Sequence, residues 1–108
     1  MESNIRKSLR NVSLVYRIDR TCNFILSHVF PFRPTDLTLG AQYDAVMFAQ
    51  TNLQYEKSML RQAKNLIRSQ KNDPVALLSA QVLLGQIAAN QNMRHGIMEK
   101  EIENSMVR

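Results

Sequence analysis

Residues 38–71 read TLGAQYDAVMFAQTNLQYEKSMLRQAKNLIRSQK. Leu39, Val46, Leu53, Leu60 and Ile67 recur in it every seven residues. Seven residues is close to two helical turns, so this spacing lines up one narrow apolar seam, as in hairpins and bundles. Ala49 and Ala63 occupy the intermediate row, and Glu56 interrupts that row. A helix of about 30 residues spans about 45 Å at 1.5 Å per residue. That is longer than an average globular helix.

Working outward, Asn72-Asp73-Pro74 ends this segment and starts the next. Asp73 suits a helix cap and Pro74 a first helical position. Residues 74–106 then begin as strong helix, with Val75, Ala76, Leu77, Leu78, Ala80, Val82, Leu83, Leu84, Ile87 and Ala88 apolar nearly all round. Such a helix needs cover on several faces. A polar waist, Asn90-Gln91-Asn92-Met93-Arg94-His95-Gly96, follows, and a bend or frayed point near Gly96 is expected. Ile97, Met98, Ile102 and Met106 resume a stripe, with Glu99, Glu101 and Glu103 outside it as a solvated face. The short loop between the two long segments favours antiparallel pairing.

On the other side, Pro31-Phe32-Arg33-Pro34 must be extended, which makes 31–37 a linker. Residues 3–30 carry Ile5, Leu9, Val12 and Tyr16, then Ile18, Cys22, Ile25 and Val29, mostly at steps of three or four. That predicts a basic amphipathic helix, although Cys22 to Phe30 is β-prone enough for a short strand. Arg6, Lys7, Arg10, Arg17 and Arg20 take much of the remaining surface as a basic patch. The expected fold is therefore all-α: one domain over 1–108, with a long antiparallel hairpin preceded by a basic helix.

Composition agrees. With 108 residues there is room for one domain. Three Gly and three Pro are too few for a turn-rich sandwich or barrel. The net charge of +5 divides unevenly. Residues 1–34 hold six Lys/Arg and two acids, 35–72 five and three, and 73–108 three and four. The front is basic and the back slightly acidic, a polarity that can steer neighbours head to tail.

Chemistry is sparse. His28 and His95 lie in different segments, and the sequence has no His-x-x-x-His or Cys-x-x-Cys pair. Gly40, Gly85 and Gly96 are isolated, so no loop cradles phosphate. No nucleophile stands beside a base. These features predict no enzyme, no cofactor, no metal and no small-molecule substrate. The lone cysteine, Cys22, rules out a disulfide framework and reads as a buried hydrophobe. No apolar run approaches the ~20 residues of a membrane span, and no signal-peptide core is evident. The expected location is the cytoplasm, or outside the cell after export without a cleaved signal.

The hairpin also carries a family resemblance. Ala63-Lys64-Asn65-Leu66-Ile67-Arg68-Ser69-Gln70-Lys71-Asn72-Asp73-Pro74 leads into Val75-Ala76-Leu77-Leu78-Ser79-Ala80-Gln81-Val82-Leu83-Leu84. Pro74, Leu77, Gln81 and Leu84 fall at the loop proline and at three, seven and ten residues beyond it. In this, residues 55–106 resemble bacterial type III secretion inner-rod and needle subunits. The resemblance implies a small helical subunit that polymerises in a secretion channel, or an export chaperone. It places Leu77, Gln81, Leu84 and Ile87 on packing faces.

The expected function is thus structural. The protein self-associates or docks on a helical partner through Leu39, Val46, Leu53, Leu60, Ile67 and those four residues. The alternative is a basic helical nucleic-acid-binding protein, with Tyr16 and Phe24 stacking between cations. Contact with an anionic membrane surface is a further use of the first segment.

Overall fold

A computed structural model describes the backbone of residues 2–29, 37–69 and 72–106, and the side chains of 3–25, 47–69, 72–100 and 103. It contains three helices, α1 (Glu2–Val29), α2 (Leu37–Ser69) and α3 (Pro74–Met106), and no strand among the described residues. The protein is all-α. Residues 22–29 are helical, so their β-branched content yields to the helical pattern around them. The linker residues 31–36, and the side chains of Leu39, Val46 and His28, lie outside the described residues.

The α2–α3 turn forms as the sequence implies. Val75 N donates to Asp73 Oδ1 at 3.0 Å, and Leu77 N donates to Asp73 O at 3.0 Å. The Asp73 side chain thereby satisfies one donor that the first helical turn leaves open, its carbonyl accepts the first intrahelical bond, and Pro74 enters where its missing N–H costs nothing. No break or frayed turn occurs at Gly96. Helix α3 continues without interruption to Met106, with open space where a Gly96 Cβ would stand.

Helices α2 and α3 make the most extensive pairing, and α1 packs on both. The core collects Ile5 and Val12 from α1, Met59, Leu60, Ala63 and Ile67 from α2, and Ala80, Leu84 and Ile87 from α3. The α2 seam is buried wherever its side chains are described: Leu53, Leu60 and Ile67 all face inward. The intermediate row of Ala49, Glu56 and Ala63 is buried beside it. Two rows at heptad spacing let α2 meet two helices at once, which is what a three-helix bundle requires.

The first segment departs from expectation halfway along. Its buried row is Ile5, Leu9, Val12 and Tyr16, and it continues through Asp19 to Asn23. The expected continuation through Ile18, Cys22 and Ile25 faces solvent instead. The reason is the helical period. Tyr16 to Ile18 is a step of two, which turns a helix about 200° and moves to the opposite face. Tyr16 to Asp19 to Asn23 keeps the three-and-four rhythm, so the polar residues stay in phase with the core. Cys22 is accordingly exposed rather than buried.

Candidate functional site

Three features stand out: a buried polar layer, a basic groove and an outward apolar face.

The buried layer explains why polar residues occupy core positions. Glu56 is fully buried on α2, and Arg94 on α3 is 2% exposed. Arg94 Nη1 donates to Glu56 Oε1 at 2.7 Å and to Asn52 Oδ1 at 2.8 Å. Its Nη2 donates to Asp19 Oδ2 on α1 and pairs with it. Asn90 Nδ2 donates to Glu56 Oε1 at 2.9 Å, and Gln91 Nε2 to Glu56 Oε2 at 3.1 Å. Gln91 Nε2 also reaches the carbonyl of Val12 at 2.8 Å. Asn52 and Asn90 exchange amide hydrogen bonds at 2.8 and 3.0 Å. His95 Nε2 lies 2.6 Å from Asp19 Oδ2 at the solvent edge.

Burial works against the charge on Arg94, but hydrogen bonds and attraction from Glu56 and Asp19 outweigh it and raise its pKa above the ordinary arginine value. The guanidinium is therefore a fixed cation. Arg94 Nε remains buried without a hydrogen-bond partner among the described residues. This layer ties all three helices together at one level. None of its side chains lines the α1–α2 or α1–α3 clefts, and most of its polar groups are spent on one another. Among the described residues no cluster of His, Cys, Asp and Glu could hold a metal ion.

The groove lies between α1 and α2. A cleft of about 510 Å³ is lined by Arg17 and Arg20 from α1 and by Lys57, Arg61, Lys64 and Arg68 from α2. Ser13, Tyr16, Thr21, Leu60 and Asn65 complete it, and no carboxylate lines it. The four α2 cations stand at steps of four, three and four, so they form one line along the helix. A second cleft of about 580 Å³ shares Tyr16, Arg20, Thr21 and Lys57 with the first. It adds Phe24, Leu53, Gln50, Gln54 and Asn23. The groove is thus basic at one end and partly aromatic at the other.

Of the basic patch read from sequence, Arg17 and Arg20 enter this groove, while Arg6, Lys7 and Arg10 are exposed outside its lining. The α2 cations were not part of that patch. Their signal was present in the sequence as Lys57-x3-Arg61-x2-Lys64-x3-Arg68, running beside the apolar seam.

The apolar face belongs to α3. Val75 is 71% exposed, and Leu78, Val82, Met93 and Ile97 are exposed with it. Ala89 and the open edge of Gly85 lie on the same side. A smaller outward stripe on α1 comprises Leu14, Ile18 and Ile25.

The packing residues named from sequence divide accordingly. Leu84 and Ile87 are buried in the chain's own core, and Leu77 packs against it half-buried. Gln81 is exposed at the rim of an α1–α3 cleft with Asn4, Ser8 and Gly85. Leu53, Leu60 and Ile67 are buried, Leu60 and Leu53 at the base of the two α1–α2 clefts. The exposed apolar side chains of α3 lie on the opposite side of that helix from these core residues.

No helix among the described residues is long and apolar enough to cross a membrane. No protein family, curated protein or solved structure matches the chain.

Proposed function

We propose that the protein works by association rather than catalysis, pairing with a second copy through the outward face of α3. The observation that supports this is the unburied row Val75, Leu78, Val82, Met93 and Ile97 on a helix whose other side already forms the core. An exposed apolar patch of a few hundred Å² is often an interaction surface.

The row is nearly symmetric about the midpoint between Gly85 and Gln86. An antiparallel crossing there sets Val82 against Ala89 of the second copy, Leu78 against Met93 and Val75 against Gly96. Each pair matches a larger side chain with a smaller or more adaptable one, and a twofold axis closes the assembly at two copies. From Val75 to Ile97 the strip is about 33 Å long at 1.5 Å per residue and about 10 Å wide. That is roughly 330 Å² a side, well under the ~800 Å² of a standard interface. Association through it alone is weak and depends on concentration.

A helical protein other than a second copy can lie on the same strip. A secretion apparatus is one setting for such an assembly, supported by the resemblance around Pro74, Leu77, Gln81 and Leu84.

Sedimentation velocity over a wide dilution series tests the proposal. The mass is expected to rise from the 12.4 kDa of one chain toward twice that. Val82→Asp, on an exposed site, is expected to hold the protein at one chain with its thermal midpoint unchanged. A mass of one chain at every concentration overturns the pairing.

A further inference from the structure

The α1–α2 groove has a different character from the α3 face, and it points to a different ligand. We propose that it binds the sugar–phosphate backbone of single-stranded nucleic acid, with a base stacked on Phe24.

Charge comes first. Arg17, Arg20, Lys57, Arg61, Lys64 and Arg68 converge on one cleft with no carboxylate in its lining. None of the six forms an ion pair among the described residues. Six cations held together in this way repel one another and gather counterions, which a polyanion displaces on binding. The α2 line from Lys57 to Arg68 covers eleven residues, about 16 Å of helix at 1.5 Å per residue. At one phosphate per ~3.4 Å of stacked strand, that line runs beside roughly five phosphates.

Shape selects the strand number. Two packed helices lie about 8–10 Å apart, so the groove between them is narrow. A single strand can lie along its floor. A duplex, convex and rigid, touches only the rims and meets one helix or the other.

The aromatic end supplies the second contact. Phe24 is 64% exposed and lines the cleft that continues the basic one past Tyr16 and Arg20. A row of cations running up to an exposed ring is the arrangement that tracks a single strand, because every base has a face to stack while the backbone follows the charge. An acidic peptide would use the cations alone and gain nothing specific from an aromatic ring.

The test is fluorescence anisotropy of the full chain with a labelled twelve-nucleotide oligothymidine, at stepped salt concentrations. A duplex of equal length, heparin and a poly-glutamate peptide serve as competitors. The oligonucleotide is expected to bind with a log–log salt slope near −3 to −4, as about five contacts at ~0.7 each require. Arg61→Glu with Lys64→Glu is expected to weaken it at least ten-fold and flatten the slope. Lys57→Gln with Arg68→Gln, a milder pair, is expected to do the same to a smaller degree. Phe24→Ala is expected to weaken oligothymidine about ten-fold and leave heparin unchanged. Leu78→Asp, on the α3 face, is expected to leave binding intact, which separates this site from the pairing surface.

Equal or tighter binding of the duplex or of poly-glutamate overturns the proposal. So does binding that is indifferent to both charge variants. A Phe24→Ala effect equal on heparin and oligothymidine overturns the stacking contact and with it the single-strand assignment.

Discussion

The buried layer around Arg94 and the groove around Arg61 are both built from charged residues on facing helices, yet they do opposite things. In the layer, one guanidinium meets two carboxylates and the Asn52 amide, two further amides donate to Glu56, and almost nothing reaches water. In the groove, six cations pair with no carboxylate among the described residues. A charge inside a protein must be matched, because desolvation costs more than any loose pairing returns. A charge at the surface can stay unmatched at small expense, because water and salt screen it. Matched charge here fixes the architecture. Unmatched charge is what remains for a ligand.

The largest effect that could break this comparison comes from the layer. Arg94→Leu removes the only cation facing Glu56 among the described residues and leaves a buried carboxylate uncompensated. The expected loss is about 3–5 kcal/mol, a large share of the ~5–15 kcal/mol that holds a domain folded. Urea denaturation measures it through the midpoint. A loss under about 1 kcal/mol, the range of exposed ion pairs, would show that the layer is wet and no different in kind from the groove.

A smaller effect sharpens the point. Glu56→Leu combined with Arg94→Leu removes both charges at once. The double variant is expected to be less destabilised than the two single losses added together, by about 1–3 kcal/mol. It will still be less stable than the parent, because Asn52, Asn90, Gln91 and Asp19 lose partners. Full additivity would mean that Glu56 and Arg94 do not act as a pair.

Much of this was visible in the sequence, in pieces. The heptad row of Leu53, Leu60 and Ile67 and the Asp73–Pro74 cap led directly to three helices and an antiparallel turn. The layer was visible as two separate anomalies: Glu56 in an apolar row, and a polar waist from Asn90 to Gly96. Nothing local says that they meet. Residues 56 and 94 are brought together by the α2–α3 register, a tertiary fact, and the waist reads locally as a place for a helix to break. The α1 error has another origin. Ile18, Cys22 and Ile25 make a good apolar stripe, but one out of phase with Ile5, Val12 and Tyr16. The helix cannot skip to the other face, so Asp19 and Asn23 went in and the stripe stayed out. The groove was half legible for the same reason: one helix's cations can be read from sequence, but the facing row becomes significant only once the two helices are side by side.

The smallest expected effect tests the groove from the stability side. Lys57–Arg61 and Lys64–Arg68 are like charges at four-residue spacing on one helix, and each such pair costs about 0.2–0.5 kcal/mol. Arg61→Gln with Lys64→Gln removes one member of each pair, and glutamine is close to both in helix propensity. The variant is therefore expected to be more stable than the parent by about 0.5–1 kcal/mol at low ionic strength. The gain should shrink as salt is added, because the screening length falls from ~30 Å at 0.01 M to ~8 Å at 0.15 M. Thermal midpoints of the two proteins across that range measure both numbers. Should the variant instead be less stable, and most so at low salt, then the bundle already supplies countercharge to these cations. The groove would then be a second matched layer, and the division between charge that builds the fold and charge that awaits a ligand would not hold.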